Sequence, residues 1–404
     1  MRRVVITGVG TVSGLGNNAR EFWESIKSGK SAVGPITKAD VSNMRFKNGV
    51  EVRGFDEKQH FDDKMLLWLD PFSHYGIVSA REAVADSGIE FDERLRDMSG
   101  VITGSCLGGK TTEDALYKKV YGDKQERQPP TAIPRAMANA VSSHVSMEFG
   151  LTGATFTTST ACSSANHALG QAFWLVRQGT LDAAIAGGAE APLCYGNLKA
   201  WETMRVVSPD TCRPFSKDRT GMVLGEGAAM FVMEELERAQ ARGAKIYAEM
   251  VGFGMSADAH HLTMPLAAGA AKAMNGALTD GGLKPEQVGY VNAHGTATQA
   301  NDTMESEAIR LVFGDHTDNV RVSSTKAMHG HTLGAAGAIE GAATVLGLHY
   351  GLLPPNVNFN EPDPACNVNV IINEALAAEP EAAISNSFAF GGLNAVVAFR
   401  RWDS

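Results

Sequence analysis

One layout occurs twice in this chain and constrains its fold more than any other feature. "TTSTACSSANHALGQAFWLVRQG", from residue 157, and "VSSTKAMHGHTLGAAGAIEGAATVLGLHYG", from residue 322, share it. Each runs from a β-type stretch into Ser-Thr, through a tight turn, and into a helix of small residues. Two such units imply two similar α/β halves, each presenting its small-residue helix to a shared centre. The halves join near residue 246, so the expected domains are 1–246 and 247–404.

The rest of the chain agrees with an α/β class. Strands are expected near 3–8, 99–104, 154–158, 182–187, 227–234, 246–253, 287–292, 319–324, 382–386 and 394–400. Helices are expected near 18–28, 72–88, 111–120, 135–149, 163–178, 266–281, 302–312 and 333–350. Strands and helices in alternation favour α/β architecture. After Cys162, Ala165, Ala168, Leu169, Ala172 and Val176 recur at helical spacing and make one apolar face. Pro129, Pro130 and Pro134 make 121–134 an exposed loop.

At 404 residues the chain can bury a large core, and its net charge of −9 argues against bulk binding to nucleic acid or anionic membranes. Its five cysteines, at 106, 162, 194, 212 and 366, show no Cys-x-x-Cys pairing. That reads as a reduced, cytoplasmic protein. "MRR" before "VVITGVG" looks like the start of a signal peptide, but glycines interrupt the apolar run, so a first strand is expected. No stretch approaches the ~20 apolar residues of a membrane span.

Four motifs compete for function. "GSCLGGKT" at 104–111 fits the phosphate-loop pattern between a strand and a helix, with Gly109, Lys110 and Thr111 serving phosphates and Mg²⁺. A nucleotide-binding protein using Gly104–Thr111 is therefore one alternative. Against it, "DAAIAGG" and "YVNAHG" run into glycine or histidine where a Mg²⁺-side aspartate is needed. "GVGTVSGLG" at 8–16 misses the dinucleotide-binding spacing by one residue and reads as a strand entering a close turn. His260, His261, His329 and His331 lack metal-ligand spacing, so no metal site is expected.

Cys162 is the fourth. A helix starting just after it would favour thiolate by ~0.3–2 kcal/mol, at most about 1.5 pKa units. From a reference near 8.5 that leaves the thiol mostly protonated at pH 7. Activation needs a base, or a histidine that stabilises the thiolate. His294 in "YVNAHGTATQAND" and His331 in "SSTKAMHGHTLGAAG" both follow apolar β runs and abut glycine. Lys326 and Glu340 are ionisable groups among small and apolar neighbours, and a Lys326–Glu340 pair behind the histidines is expected. "NSFAFGGLNA" at 386–395 suits a backbone N–H presented to an oxyanion, or a mobile loop.

"TACSS" with Cys162, "VNAHGTAT" with His294, "SSTKAMHGHTLGAAGAIE" with Lys326, His331 and Glu340, and "NSFAFGG" with Phe390, in this order, resemble the β-ketoacyl carrier-protein synthases of the KAS II type. Similarity runs the length of the chain, through "RPFSKDRTGMVLGEGAA". The resemblance implies a thiolase-like fold, two halves in an α-β-α-β-α five-layer sandwich. It implies no metal or bound cofactor, and that Cys162 accepts an acyl group from the phosphopantetheine arm of an acyl carrier protein. Malonyl-carrier protein then loses CO₂, and the enolate attacks the Cys162 thioester. His294 and His331 would stabilise the enolate oxygen through Nε2–H, and the backbone N–H groups of Cys162 and Phe390 would form the oxyanion hole. Lys326 and Glu340 would orient the histidine side. Thr296 and Thr298 would bond the pantetheine arm, Leu107 would sit near the acyl chain end, and Phe388 and Gly391 would contribute to substrate binding. The protein would be a homodimer, or a heterodimer with a chain-length-factor-like subunit; a partner subunit without turnover of its own is a further alternative.

Three features depart from the housekeeping fatty-acid pattern. Ala389 and Leu393 stand where the family commonly has glycine and threonine, and His329 stands where threonine is common. "DDKMLLWLDPFSHYG" at 62–76 is apolar, through Leu66, Leu67, Trp68 and Leu69, in a region typically basic for carrier-protein docking. It reads either as a covered turn or as the mark of a specialised partner. These departures resemble the specialised branch of nodulation protein E and the aryl-polyene ketosynthases.

Overall fold

Eleven strands form the main sheet: β1 (Val4–Ser13), β2 (Ser99–Gly104), β3 (Thr155–Thr158), β4 (Ala183–Glu190), β5 (Gly227–Glu235), β6 (Ala248–Ala257), β7 (Val288–Asn292), β8 (Arg321–Ser323), β9 (Asn369–Val370), β10 (Ala382–Ala389) and β11 (Leu393–Arg401). The main helices are α1 (Pro71–Ser87), α2 (Ala140–Phe149), α3 (Ser164–Arg177), α4 (Tyr195–Met204), α5 (Ala267–Asp280), α6 (Gln299–Phe313) and α7 (Ala336–Tyr350). This computed structural model describes residues 1–403; Ser404, the last residue of the expected second half, lies outside the described residues.

The duplication is explicit in the strand order, β9-β8-β7-β10-β11-β6-β1-β5-β4-β2-β3. Within β1–β5 the order is third, second, fourth, fifth, first. The strands β6, β7, β8, β10 and β11 repeat that order, with β9 added at their edge. The directions repeat as well. β1 and β5, and β5 and β4, are antiparallel, while β4, β2 and β3 are parallel. β6 and β11, and β11 and β10, are antiparallel, while β10, β7 and β8 are parallel. The repeats meet where Val4–Ile6 of β1 pairs with Ala248–Met250 of β6.

Strand alternation sorts side chains into layers. On β5, Ala229, Phe231 and Met233 enter a central core shared with Ala165, Ala168, Leu169, Ala172 and Val176 of α3 and Ala338, Ile339 and Ala342 of α7. Ala228, Met230 and Val232 face outward onto α1 and α2. On β11, Ala395 and Val397 join the central core, while Val396 and Ala398 pack under α5 and α6. The result is the five-layer sandwich expected, with α3 and α7 as its middle layer.

The glycines of "GVG" serve this layering. A Cβ at Gly8 would lie 2.0 Å from the Ala83 carbonyl of α1, and one at Gly10 would lie 2.0 Å from that of Ser79. Gly252 and Gly254 of β6 repeat the arrangement, 2.2 and 2.1 Å from the Ala277 and Ala273 carbonyls of α5. The first strand of each half thus takes its outer helix against bare backbone.

Several boundaries differ from expectation. Met137 is extended, with ψ 133°, so the helix expected over 135–149 splits into a single turn at Ala132–Ala136 and α2. The expected 333–350 helix opens with a 3₁₀ turn at Leu333–Ala335. The α4 helix was not expected, because its short run buries only Asn197 and Leu198. Segment 62–76 divides: Leu69 is buried in the core, while Leu67 and Trp68 reach the surface.

Gly10→Ala should destabilise the protein by about 1–3 kcal/mol, because the added methyl can be relieved only by moving α1 off β1. A fall in the urea midpoint tests this; an unchanged midpoint would contradict the packing described.

Candidate active site

Each half delivers a reactive side chain to the start of its central helix. After β3 the chain turns through Ala161, whose φ of 50° is left-handed, and α3 begins at Ser164. Cys162 sits in this elbow, 8% exposed. In the second half, His331 precedes the turn that leads into α7. Its backbone is held by the 223–225 segment: His331 N–H donates to the Val223 carbonyl at 2.6 Å, and Gly225 N–H to the His331 carbonyl at 2.9 Å.

These elements place His331 Nε2 3.1 Å from Cys162 Sγ. Leu333 N–H donates to His331 Nδ1 at 3.3 Å. With Nδ1 accepting, the neutral ring carries its proton on Nε2, facing sulfur. His294 is oriented in the same sense. Its Nδ1 lies 3.3 Å from Lys326 Nζ, which is ion-paired with the Glu340 carboxylate. Lysine can only donate, so His294 also presents Nε2–H. The two rings stand 5.4 Å apart at 85°.

Burial, with Lys326 adding to it, holds both imidazoles well below the usual histidine range, so both are neutral. A neutral ring whose proton is on Nε2 is a donor at that atom. Of the two possibilities left open for the thiol, the geometry selects a histidine that donates to sulfur over one that takes its proton. Burial pushes the Cys162 thiol up to about 12, with Lys326 pulling the other way and Glu340 and Glu190 adding to the rise. The helix-terminus contribution of about 1.5 units at most does not cancel that.

A cavity of about 240 Å³ opens on this centre. Cys162, His294, His331, Thr296, Thr298, Phe388 and Phe390 all line it. The two threonine hydroxyls lie 2.9 Å apart, and Thr298 also caps α6 by accepting from Asn301 N–H at 3.3 Å. Phe388 packs against His294 with centroids 6.1 Å apart. Phe390 stacks on Trp201 of α4 at 6.2 Å and 28°. Two expected residues stand off the wall. Leu107 packs into the apolar cluster around Cys162, and Gly391 N–H donates to the Leu262 carbonyl at 2.7 Å. His329 is a buried packing group, its ring nitrogens near the Gly330 carbonyl at 2.8 Å and Thr325 Oγ1 at 3.0 Å.

The phosphate-loop alternative is overturned here. In a phosphate loop, backbone N–H groups are free to cradle an anion. In this loop the Glu190 carboxylate accepts from Cys106 N–H at 2.8 Å, Leu107 N–H at 3.2 Å and Ser105 Oγ at 3.0 Å. Gly109 N–H donates to the Ala136 carbonyl at 3.1 Å, Lys110 pairs with Glu113, and the Thr111 hydroxyl donates to the Ala191 carbonyl. The chain's own carboxylate occupies the cradle.

Sequence reading missed Glu190, Glu305 and the walls formed by α4 and 261–265. Glu305 is fully buried and accepts from His294 N–H at 2.8 Å and Gly295 N–H at 2.7 Å, fixing the loop that carries His294. Its signal was an acid at helical spacing among Met304, Ala308 and Ile309, which mark the buried face of α6.

With the thiol protonated at rest, alkylation of Cys162 by iodoacetamide should keep accelerating as pH rises past 9. A rate that levels off by pH 7–8 would contradict the site's electrostatics.

Comparison with known proteins agrees with this geometry. Residues 1–239 match the family described as Beta-ketoacyl synthase, N-terminal domain, and residues 247–360 match its C-terminal domain. Nodulation protein E of Rhizobium sp. (strain N33) is 45% identical over 400 residues, 99% of this chain and 99% of the relative. The 3-oxoacyl-(acyl-carrier-protein) synthase 2 of a Synechocystis strain is 41% identical over 412 residues, 100% of this chain and 99% of that protein. The solved structure of the ishigamide ketosynthase/chain length factor matches with a TM-score of 0.95 at 34% identity, covering 100% of both chains. On the strength of these matches, the chain belongs to the β-ketoacyl synthase family of acyl-transferring condensing enzymes.

Proposed function

We propose that Cys162 is the acyl-accepting nucleophile of a carrier-protein-dependent condensation, and that His294 and His331 stabilise the enolate it consumes. The observation that carries this is the convergence of a thiol and two Nε2–H donors on one cavity, with His331 Nε2 3.1 Å from Sγ. The half 1–246 supplies the nucleophile and the half 247–404 supplies the histidines.

In the first step, Cys162 sulfur attacks the thioester carbonyl of an acyl carrier protein. The carrier's phosphopantetheine thiol leaves and takes up the cysteine proton, so one thioester replaces another. The backbone N–H groups of Cys162 and Phe390 hold the oxyanion in the tetrahedral intermediate. In the second step, malonyl-carrier protein binds with its thioester oxygen toward His294 and His331. The bond to its carboxylate breaks, CO₂ departs, and the electron pair becomes an enolate whose oxygen accepts both Nε2–H bonds. The enolate carbon attacks the Cys162 thioester, a carbon–carbon bond forms, and the thiolate leaves and is reprotonated from solvent. Lys326, held by Glu340, keeps His294 Nδ1 an acceptor and so keeps its Nε2–H directed at the enolate. Thr296 and Thr298 take the amide groups of the pantetheine arm.

The working form pairs this chain with a second copy or with a chain-length-factor-like subunit. The open sheet edge at β3, where Phe156 is exposed, supports such an assembly. We place the reaction in the cytoplasm, and the pathway in fatty-acid or specialised polyene or polyketide synthesis. Among the described residues no helix is long and apolar enough to cross a membrane.

Incubation with an acyl carrier protein should add the acyl mass to Cys162, and Cys162→Ala should abolish that adduct; an adduct elsewhere would overturn the assignment. His294→Ala should still acylate Cys162, yet decarboxylate malonyl-carrier protein about 10²–10³-fold more slowly, the cost of one oxyanion donor. Equal loss of both half-reactions would contradict the division of roles.

A further inference from the structure

Glu190 ends β4 inside the protein, fully buried, with no cation among its hydrogen-bond partners. Its carboxylate instead collects four neutral donors from both halves. One oxygen accepts from Ser105 Oγ and Leu107 N–H, at 3.0 and 3.2 Å. The other accepts from Cys106 N–H at 2.8 Å and, across the junction, from Gly334 N–H at 3.1 Å. The junction is tight: a Cβ on Gly334 would lie 2.4 Å from both Cys106 N and Glu190 Oε2.

The residue before Gly334 is Leu333, held at a left-handed φ of 49°, and its N–H is the one that fixes the proton of His331 on Nε2. Adjacent peptide groups of one strained turn are therefore pinned in two directions, Leu333 on the His331 ring and Gly334 on Glu190. On the far side of the same carboxylate, Leu107 packs in the apolar cluster that contains Cys162. We infer that Glu190 is a positioning residue: it locks the 331–334 turn against the 105–107 loop, and so sets the direction of His331 Nε2–H and the apolar wall beside Cys162 together.

The geometry demands a carboxylate. Each oxygen accepts from two donors, and the amide nitrogen of glutamine would face one donor pair with hydrogens of its own. Without the lock, Leu333 relaxes toward an ordinary φ and withdraws its N–H from His331 Nδ1, freeing the ring to turn.

The test uses Glu190→Gln in the full chain, with two readouts. The first is the pH profile of Cys162 alkylation by iodoacetamide, which requires no assumption about the reaction. The charged and titratable groups around this sulfur are His331, His294, Lys326, Glu340, the Cys106 thiol and Glu190 itself. Removing the Glu190 charge alone would ease ionisation and move the profile to lower pH; losing the His331 donor moves it to higher pH, and the latter is expected. The second readout rests on the proposed condensation: kcat should fall about tenfold or more while KM for malonyl-carrier protein stays within about threefold. Ser105→Ala, which removes one donor from the same carboxylate, should shift both readouts in the same direction by less, and it decides the matter if Glu190→Gln does not fold. A folded variant with an unchanged or lower-pH profile overturns the inference. Wild-type protein that neither acylates nor condenses overturns the proposed function, and leaves the alkylation profile to judge Glu190.

Discussion

Two helices buried between the two halves of the main sheet impose most of what is distinctive about this protein. Where α3 and α7 face each other they carry small residues, Ser164, Ala165 and Ala168 on one and Ala336, Gly337, Ala338 and Gly341 on the other. Their first turns pack so closely that a Cβ at Gly337 would lie 2.5 Å from the Asn166 side chain. Because the helix starts meet, the residues just before them meet as well. Cys162 precedes one and His331 the other. The site is a consequence of the middle layer.

Burying the centre sets its electrostatics. Removing water disfavours every charge there, which is why both imidazoles are neutral and the thiol is protonated at rest. The charges that remain are held by partners. Lys326 and Glu340 form a fully buried ion pair, an arrangement whose desolvation cost its own attraction only partly repays. Its return here is orientation, since the ammonium is the donor that fixes the proton of His294. Glu190 and Glu305 are buried carboxylates satisfied by peptide N–H groups and neutral side-chain donors, and each holds a segment next to a histidine.

The glycine-rich stretches, including the two that looked like nucleotide motifs, are explained by the fold. "GVG" and "GFG" are places where a helix backbone rests on a strand. "GSCLGG" folds around an internal carboxylate, the same chemistry that a phosphate would supply, met by the chain itself. A pattern of glycines records close backbone approach, and it does not say what approaches.

Two α/β halves, each bringing a small-residue helix and the residue before it to a shared centre, were legible in the sequence because they rest on local order: a strand, a tight turn, and a helix of small residues, repeated once. The five-layer class came with the family resemblance, and the Lys326–Glu340 pair from two ionisable groups among small and apolar neighbours. The resemblance also named Phe390, Phe388, Thr296 and Thr298, and all four line the cavity that opens on Cys162. The direction of each imidazole proton was decided by contacts from Leu333 and Lys326. The identity of the group filling the "GSCLGG" cradle was decided by Glu190, more than eighty residues away along the chain. The α4 wall and the break at Met137 were likewise decided by packing against distant segments. Periodicity reports which face of an element is buried. The donors and acceptors that meet there depend on distances between elements, and those exist only once the two halves close on each other.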